Sequence, residues 1–326
     1  MHEVHRIRED ELIDSGDPAC CMRVLAAPHL VRLIAPVFLI IAFVLVCVPG
    51  SAQSWQRAVD QATATVPESR IVVIDVANGH LIASHRPDLA ARTLAAPGST
   101  LKPLLLFTLV SSGRWQPDQR ISCNGQLVVN GRRLACSHPP APPFDSQEAL
   151  TWSCNTYFAA VARSLNPGDL GRILRPTGIL SPTRLEGNEA IAKFSEPPTV
   201  EARELAVLGV DGVRVTPLEL AVAYRWLALE LAAHKNSEAA NVVRAGLEDS
   251  ASFGMAGAVG LGGVPAAGKT GTAESAGSSQ THGWFAGLAP AVNPRVVVVV
   301  YMPSGRGADA ARVAGDLLAR SQLGRP

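Results

Sequence analysis

The sequence predicts an α+β fold: an antiparallel sheet covered by N- and C-terminal helices, with a mostly helical subdomain inserted between the second and third strands. Three observations carry this expectation. Two β-rich runs within "RIVVIDVANGHLIASH", 70–85, flank a turn signal at Asn78-Gly79. Two more strand-like runs, 282–290 and 294–303, come only near the end of the chain. Most of the sequence lies between these pairs and reads as helix and loop, and an amphipathic helix follows the last run.

Asn78-Gly79 between alternating apolar residues is a short-range signal for a type I′ hairpin. The next segment, "STLKPLLLFTLVSS", has the length and apolar character of a buried helix. Pro103 lacks an N–H, which a helix tolerates only in its first turn, so the helix is expected to start near Ser99. Residues 113–150 are rich in Gly, Pro and polar side chains and read as an elaborated loop. "EALTWSCNTYFAAVARSL", 148–165, reads as one helix, with Trp152, Tyr157, Phe158 and Val161 apolar. In "VTPLELAVAYRWLALELAAH", Thr216 can cap and Pro217 takes the first helical position. In "GADAARVAGDLLARSQ", Ala310, Val313, Ala314 and Leu317 form an apolar stripe opposite Arg312, Asp316 and Arg320.

The chain has 326 residues, 47% of them apolar, and a net charge of +1, so it can bury a sizeable core and carries no bulk signal for nucleic acid. Residues 33–48, "LIAPVFLIIAFVLVCV", contain no charge, and Arg23 and Arg32 stand on their N-terminal side. This reads as an export signal or single-pass anchor in the inner membrane, with the remainder extracytoplasmic. Gly50 and Ala52 also offer a small-x-small site near which cleavage would release the domain. The expected division is therefore 1–52, tail plus anchor or signal peptide, and 53–326, one domain. Glu3, Glu9, Asp10, Glu11, Asp14 and Asp17 are unusual in a signal peptide, and Met22-Arg23 makes a more ordinary start. Of the six cysteines, Cys20, Cys21 and Cys47 fall in the N-terminal region. Cys123, Cys136 and Cys154 allow at most one internal disulfide. Cys123 and Cys136 bracket a Gly-containing loop and could form it; with His138 they supply three ligands at a spacing that suits zinc poorly.

Chemistry concentrates in three short motifs: Ser99-Thr100-Leu101-Lys102, Ser153-Cys154-Asn155 and Lys269-Thr270-Gly271-Thr272. The chain has four lysines, the others being Lys193 and Lys235, and otherwise uses Arg as its cation. A lysine differs from arginine in being able to lose its proton. A serine hydroxyl is a poor nucleophile until a neighbouring base removes its proton. Lysine serves as that base only when desolvation or nearby positive charge lowers its pKa from about 10.4. Three residues along a helix brings Lys102 toward Ser99, the helix N-terminus adds partial positive charge, and Lys269 supplies a second cation.

The three motifs, in this order, resemble the transpeptidase domain of penicillin-binding proteins, which shares them with serine β-lactamases. "LAAPGSTLKPLL", "ALTWSCNTYF", "VTPLELAVAY" and "KTGTAES" followed by "HGWFAGLAP" all read like blocks of that family, and similarity runs from about residue 70 to the end. The resemblance implies that Ser99 is the acylated nucleophile and Lys102 its general base. Ser153 would relay a proton toward the leaving amine, and Asn155 would hold the substrate amide and orient Lys102. Lys269, Thr270 and Thr272 would bind the substrate carboxylate, and Gly271 would leave room for substrate along an edge strand. The backbone N–H groups of Ser99 and Thr272 would form the oxyanion hole. His282 and Trp284 match the family block, though a strand tryptophan is more often core than ligand contact.

The implied reaction is D,D-transpeptidation of peptidoglycan stem peptides ending in D-Ala-D-Ala, with inhibition by β-lactams and no metal or organic cofactor. Partners would be stem peptides, β-lactams and other cell-wall synthesis proteins. A D,D-carboxypeptidase, a β-lactamase and a non-catalytic sensor or scaffold are the alternatives. The sequence lacks the long N-terminal pedestal of many relatives, a glycosyltransferase domain and a Glu-x-x-Leu-Asn motif, and it has "VLGVDGV", 207–213, where relatives often carry a Gly-Gln-Gly turn.

Overall fold

The computed structural model describes residues 50–139, 141–275 and 279–324. The expected anchor at 33–48, the alternative start at Met22 and the first three cysteines lie outside the described residues. Among the described residues no helix is long and apolar enough to cross a membrane.

The chain runs through helix α1 (Gly50–Thr63), strands β1 (Arg70–Asp75) and β2 (Leu81–His85), and then a long insert. The insert contains α2 (Lys102–Ser111), α3 (Asn155–Arg163), α4 (Pro217–Ala233) and α5 (Glu238–Ser252), with shorter helices and two small two-stranded ladders. Strands β3 (Ala267–Glu274), β4 (Thr281–Ala289) and β5 (Val296–Met302) follow, and α6 (Gly307–Arg320) packs against them. All neighbours in the sheet are antiparallel, in the order β2-β1-β5-β4-β3. The insert therefore enters between the second and third strands, as the element order implied.

Both faces of the sheet are covered, which explains why "IVVI" and "VVVVV" are apolar without alternation. Ile71, Val73, Val298 and Val300 pack against Trp55 and Val59 of α1 and Ala310, Ala314 and Leu317 of α6. Val72, Ile74, Val297 and Val299 pack against the insert, including Leu220, Tyr224 and Leu227 of α4. Helix α4 begins as its sequence implied: Thr216 accepts from the Glu219 N–H at 3.1 Å, and Glu219 accepts from the Thr216 N–H at 2.8 Å.

Three local expectations are corrected. The β1–β2 connection is a hairpin but not a type I′ turn, which needs positive φ at both central residues. Only Gly79 has it (φ 77°), because the Asp75 carboxylate accepts from the Asn78 N–H at 3.0 Å and closes a longer loop. Ser99 does not start an α-helix. It lies on a single 3-10 turn, Gly98–Leu101, ahead of α2. Pro103 has no N–H to give the Ser99 carbonyl, so Lys102, one residue earlier, donates to it instead. Residues 148–165 form two helices rather than one. Ser146–Thr151 closes with Cys154 N–H donating to Ala149 at 3.0 Å and Ser153 N–H to Leu150 at 3.2 Å. This is a Schellman closure, and it puts Ser153 in the left-handed region (φ 55°) where glycine is usual.

Candidate active site

The 3-10 turn that carries Ser99 is fastened from four directions. Ala95 and Val215 exchange backbone hydrogen bonds at 3.0 and 2.9 Å. The Ala96 carbonyl accepts from His282 Nε2 at 2.8 Å and Trp284 Nε1 at 2.9 Å, so both β4 residues serve as buried supports of the turn. Tyr224 of α4 donates to the Thr100 carbonyl at 3.0 Å. Gly98 N–H donates to the Gly209 carbonyl at 2.9 Å.

Edge strand β3 lies directly against this turn. A Cβ on Gly271 would sit 2.5 Å from the Pro97 carbonyl and 3.4 Å from the Ser99 nitrogen, and one on Gly98 would sit 3.0 Å from the Thr272 nitrogen. The bare backbone at Gly271 thus admits the serine turn. The close approach brings the Ser99 and Thr272 amides to one spot. In the "VLGVDGV" segment Gly209 and Gly212 have φ of 68° and 74°, in the left-handed region.

A cavity of about 360 Å³ is lined by Ser99, Ser153, Asn155, Thr270 and Thr272, with Arg132–Ala135 forming part of its wall. Lys102 and Lys269 lie behind these residues, both with 0% of their surface exposed. The Lys102 amine donates to the Ser153 carbonyl at 2.9 Å and to Asn155 Oδ1 at 2.8 Å, and lies 3.4 Å from Ser153 Oγ. Among the described residues no hydrogen bond joins it to the Ser99 hydroxyl. Burial lowers its pKa to about 8, against a smaller upward pull from Cys154 and Cys136. A neutral amine with two N–H groups held by carbonyl oxygens keeps a lone pair free for a proton.

Lys269 is held well below the ordinary lysine range, first by burial and then by the charge of Lys102. Among the described residues its amine makes one hydrogen bond, to the Thr270 carbonyl at 3.3 Å. The two threonines differ. Thr270 spends its hydroxyl proton on the Met255 carbonyl at 3.3 Å, whereas Thr272 Oγ1 accepts from Gly307 N–H at 2.9 Å and keeps its proton for a ligand.

The cysteine expectation is also corrected. Cys123 Sγ and Cys136 Sγ stand 3.4 Å apart, well beyond a disulfide of about 2.05 Å. A third sulfur, Cys154 Sγ, lies 3.9 Å from Cys136 Sγ. With His138 these residues form a four-donor group whose ligand atoms all lie within 4.8 Å of one another. The thiol hydrogen bond between Cys154 and Cys136 pushes the Cys136 pKa down and that of Cys154 up. In the sequence only Cys123, Cys136 and His138 stand near one another; the chain reversal at Ser153 brings Cys154 to them. The supports Gly209 and Tyr224 were missed as well. Paired glycines in 207–213 were their one local signal.

The fold occurs in solved proteins of low identity. The transpeptidase domain of Burkholderia pseudomallei penicillin-binding protein 3 superposes with a TM-score of 0.71 at 20% identity, covering 82% of this chain and 92% of that one. PBP2 from Pseudomonas aeruginosa, solved with WCK 5153, gives 0.69 at 20%, covering 82% and 74%. The D,D-transpeptidase domain of a peptidoglycan glycosyltransferase from Eggerthella lenta gives 0.67 at 22%, covering 82% and 80%. The sequence profile described as the penicillin binding protein transpeptidase domain matches residues 70–320, which is most of the chain, and the chain belongs to that family.

Proposed function

We propose that the chain is a peptidoglycan D,D-transpeptidase acting through an acyl-enzyme at Ser99. The observation that carries this reading is the buried Lys102 amine, held by Ser153 and Asn155 with its pKa lowered to about 8. Ser99 Oγ attacks the penultimate D-Ala carbonyl of a stem peptide while Lys102 takes the hydroxyl proton. The oxyanion forms against the Ser99 and Thr272 amides. Ser153 passes a proton to the departing D-Ala amine, and the amine of a neighbouring stem peptide then takes the acyl group and frees Ser99.

The terminal carboxylate would lie by the Thr272 hydroxyl and Lys269, whose amine regains its proton as the anion arrives. Asn155 holds the substrate amide. Glu274, the one carboxylate among the described lining residues, is paired with Arg132 at 3.7 Å, which favours an amine acceptor over a water activated by an acid residue. β-Lactams would acylate the same serine. Residues 33–48 would anchor the domain outside the cytoplasm, near other wall-building proteins.

Intact-mass spectrometry with penicillin should give one adduct, absent in Ser99→Ala. Release of D-Ala from a stem peptide should accelerate when a D-amino acid is added, and the product should contain that acceptor. An adduct that survives Ser99→Ala, or release indifferent to acceptor, would overturn the reading.

A pH profile follows from Lys102. Its amine must be neutral to accept a proton, so the acylation rate is expected to rise about tenfold per pH unit below about 8 and to level off above it. The lowered pKa also acts on stability. Between about 8 and the unfolded lysine's value of about 10.4, the unfolded chain holds a proton that the folded chain has lost, so this group makes the fold more stable as pH rises. Stopped-flow acylation and denaturant titrations across pH 6–10.5 check the two halves separately.

A further inference from the structure

We propose that a second cavity, at the opposite end of the sheet from the Ser99 cleft, takes an acyl chain of an anionic phospholipid and so seats that end of the domain on the outer surface of the membrane. The proposal rests on the anchoring role given above to residues 33–48, and its test reads the two separately. The cavity, of about 790 Å³, lies between α4, α5 and the β4–β5 turn and has the size of a small-ligand site. Its deep wall is apolar, with Leu231, Leu247, Ala267 and Leu288 all buried. Leu229 of α4 and Val292 of the β4–β5 turn also line it, yet are 41% and 68% exposed. Large apolar side chains left in water beside a groove mark an interaction surface.

The charges at the mouth indicate what kind of molecule fits. Lys235 and Arg244 line the cavity, and Arg295 follows the lining residue Pro294. Among the described residues neither Lys235 nor Arg295 is paired with a carboxylate. Arg244 donates to the Leu231 carbonyl at 3.0 Å, which fixes its guanidinium beside the apolar wall. Glu248 is the one carboxylate among the described lining residues. Burial raises its pKa, against a downward pull from Arg244, so it opposes the cations only weakly. An apolar slot rimmed by cations suits a hydrocarbon tail with an anionic head.

The direction of the chain identifies the source of that molecule. Asp75 and Ala289 both face Val296, and Ala267 faces Leu288, so these residues share one end of the sheet with the cavity. Helix α1 runs antiparallel to β1. Gln56 exchanges hydrogen bonds with the Ser84 backbone at 2.9 and 3.1 Å, Ser84 faces Val72, and residues 64–69 lead from Thr63 to Arg70. From Gln56 back to Gly50 the helix therefore advances about 9 Å toward the Asp75 end. In the sequence only Pro49 separates Gly50 from the apolar run 33–48, a reach of at most about 7 Å. A chain anchored by that run holds the cavity end of the sheet toward the bilayer. The cleft faces the other way: Glu274 and Thr281 line it at the far end of β3 and β4, about 23 Å along β3 from Ala267.

The test reconstitutes the full chain in vesicles of phosphatidylglycerol and phosphatidylcholine containing a trace of phosphatidylglycerol with a diazirine in its acyl chain. After illumination, peptide mapping should find lipid adducts on residues 33–48 and on the cavity segments 228–236 and 291–294. An amine-reactive reagent should reach Lys235 severalfold more slowly in vesicles than in detergent, with the exposed Lys193 as internal control. Lys235→Gln combined with Arg295→Gln should cut the cavity adducts at least about fivefold, while adducts on 33–48 and the unfolding temperature stay unchanged. Adducts on 33–48 alone would overturn the docking and leave the anchor reading standing. Adducts on neither segment would overturn both. Shielding of Lys235 without cavity adducts would assign this face to a protein partner and overturn lipid binding. Equal cavity adducts from a phosphatidylcholine probe in neutral vesicles would overturn the choice of an anionic head.

Discussion

Lys102→Arg is expected to lower the rate of penicillin acylation by about 10²–10⁴ while leaving a folded protein. The substitution keeps a long cationic side chain, so the loss would come from chemistry and not from charge. Lys102 is fully buried, and its amine lies between the Ser153 carbonyl and Asn155 Oδ1. Burial makes the proton easy to lose, and the neutral amine then has a lone pair for the Ser99 proton. A guanidinium holds its proton throughout the accessible pH range and offers only donors. It is also larger, so the variant should be compared with Lys102→Met, which removes the charge and approximates the volume. Both should lose acylation, and thermal unfolding should show both folded. An arginine variant that acylates near the wild-type rate would make the lysine a structural residue.

Gly209→Ala is expected to destabilise the fold by about 2–5 kcal/mol and to abolish penicillin labelling. Its φ of 68° is costly for any residue with a Cβ, and that Cβ would stand 2.1 Å from the Gly98 carbonyl. Gly98 precedes Ser99, so the clash pushes directly on the serine turn. Gly113 provides the control. Its φ is also 68°, but nothing lies within 4 Å of the position a Cβ would take. Gly113→Ala should therefore cost only about 1–2 kcal/mol, the backbone share, and label normally. Denaturant unfolding of both variants, with labelling rates, separates conformational strain from loss of the turn. Equal effects at the two sites would show that the Gly209–Gly98 contact has no special importance.

How much of this was legible in the sequence depended on the range of the contacts involved. The hairpin around Asn78-Gly79, the capped start of α4 and the C-terminal strands follow from local pattern. So does the closeness of Ser99 and Lys102, which are three residues apart however the turn is wound. The break at Ser153 was hidden because "EALTWSCNTYF" has no glycine or proline to mark it; a serine takes the left-handed position instead. Cys154 was consequently not placed beside Cys136. The support of the Ser99 turn by Gly209, Tyr224, His282 and Trp284 joins segments far apart in the chain, and no local periodicity encodes such meetings. Gly271 shows the same limit: its small size could be read, but not that the neighbour it admits is the serine turn.

Strand β5 is bordered by β1 on one side and β4 on the other, with Val72 opposite Val299 and Val299 opposite Ala286. The central strand of the sheet is therefore the last one synthesised. Until it is made, β1 and β2 can pair only with each other, and the Ile71–Ile74 backbone keeps an open edge beside apolar side chains. Closing a contact between opposite ends of the domain is slow, because chain entropy must be surrendered before the pairing returns anything. Nascent chains stopped before Val296 should aggregate through that edge, and chaperones that shield extended apolar segments should improve the yield of folded protein.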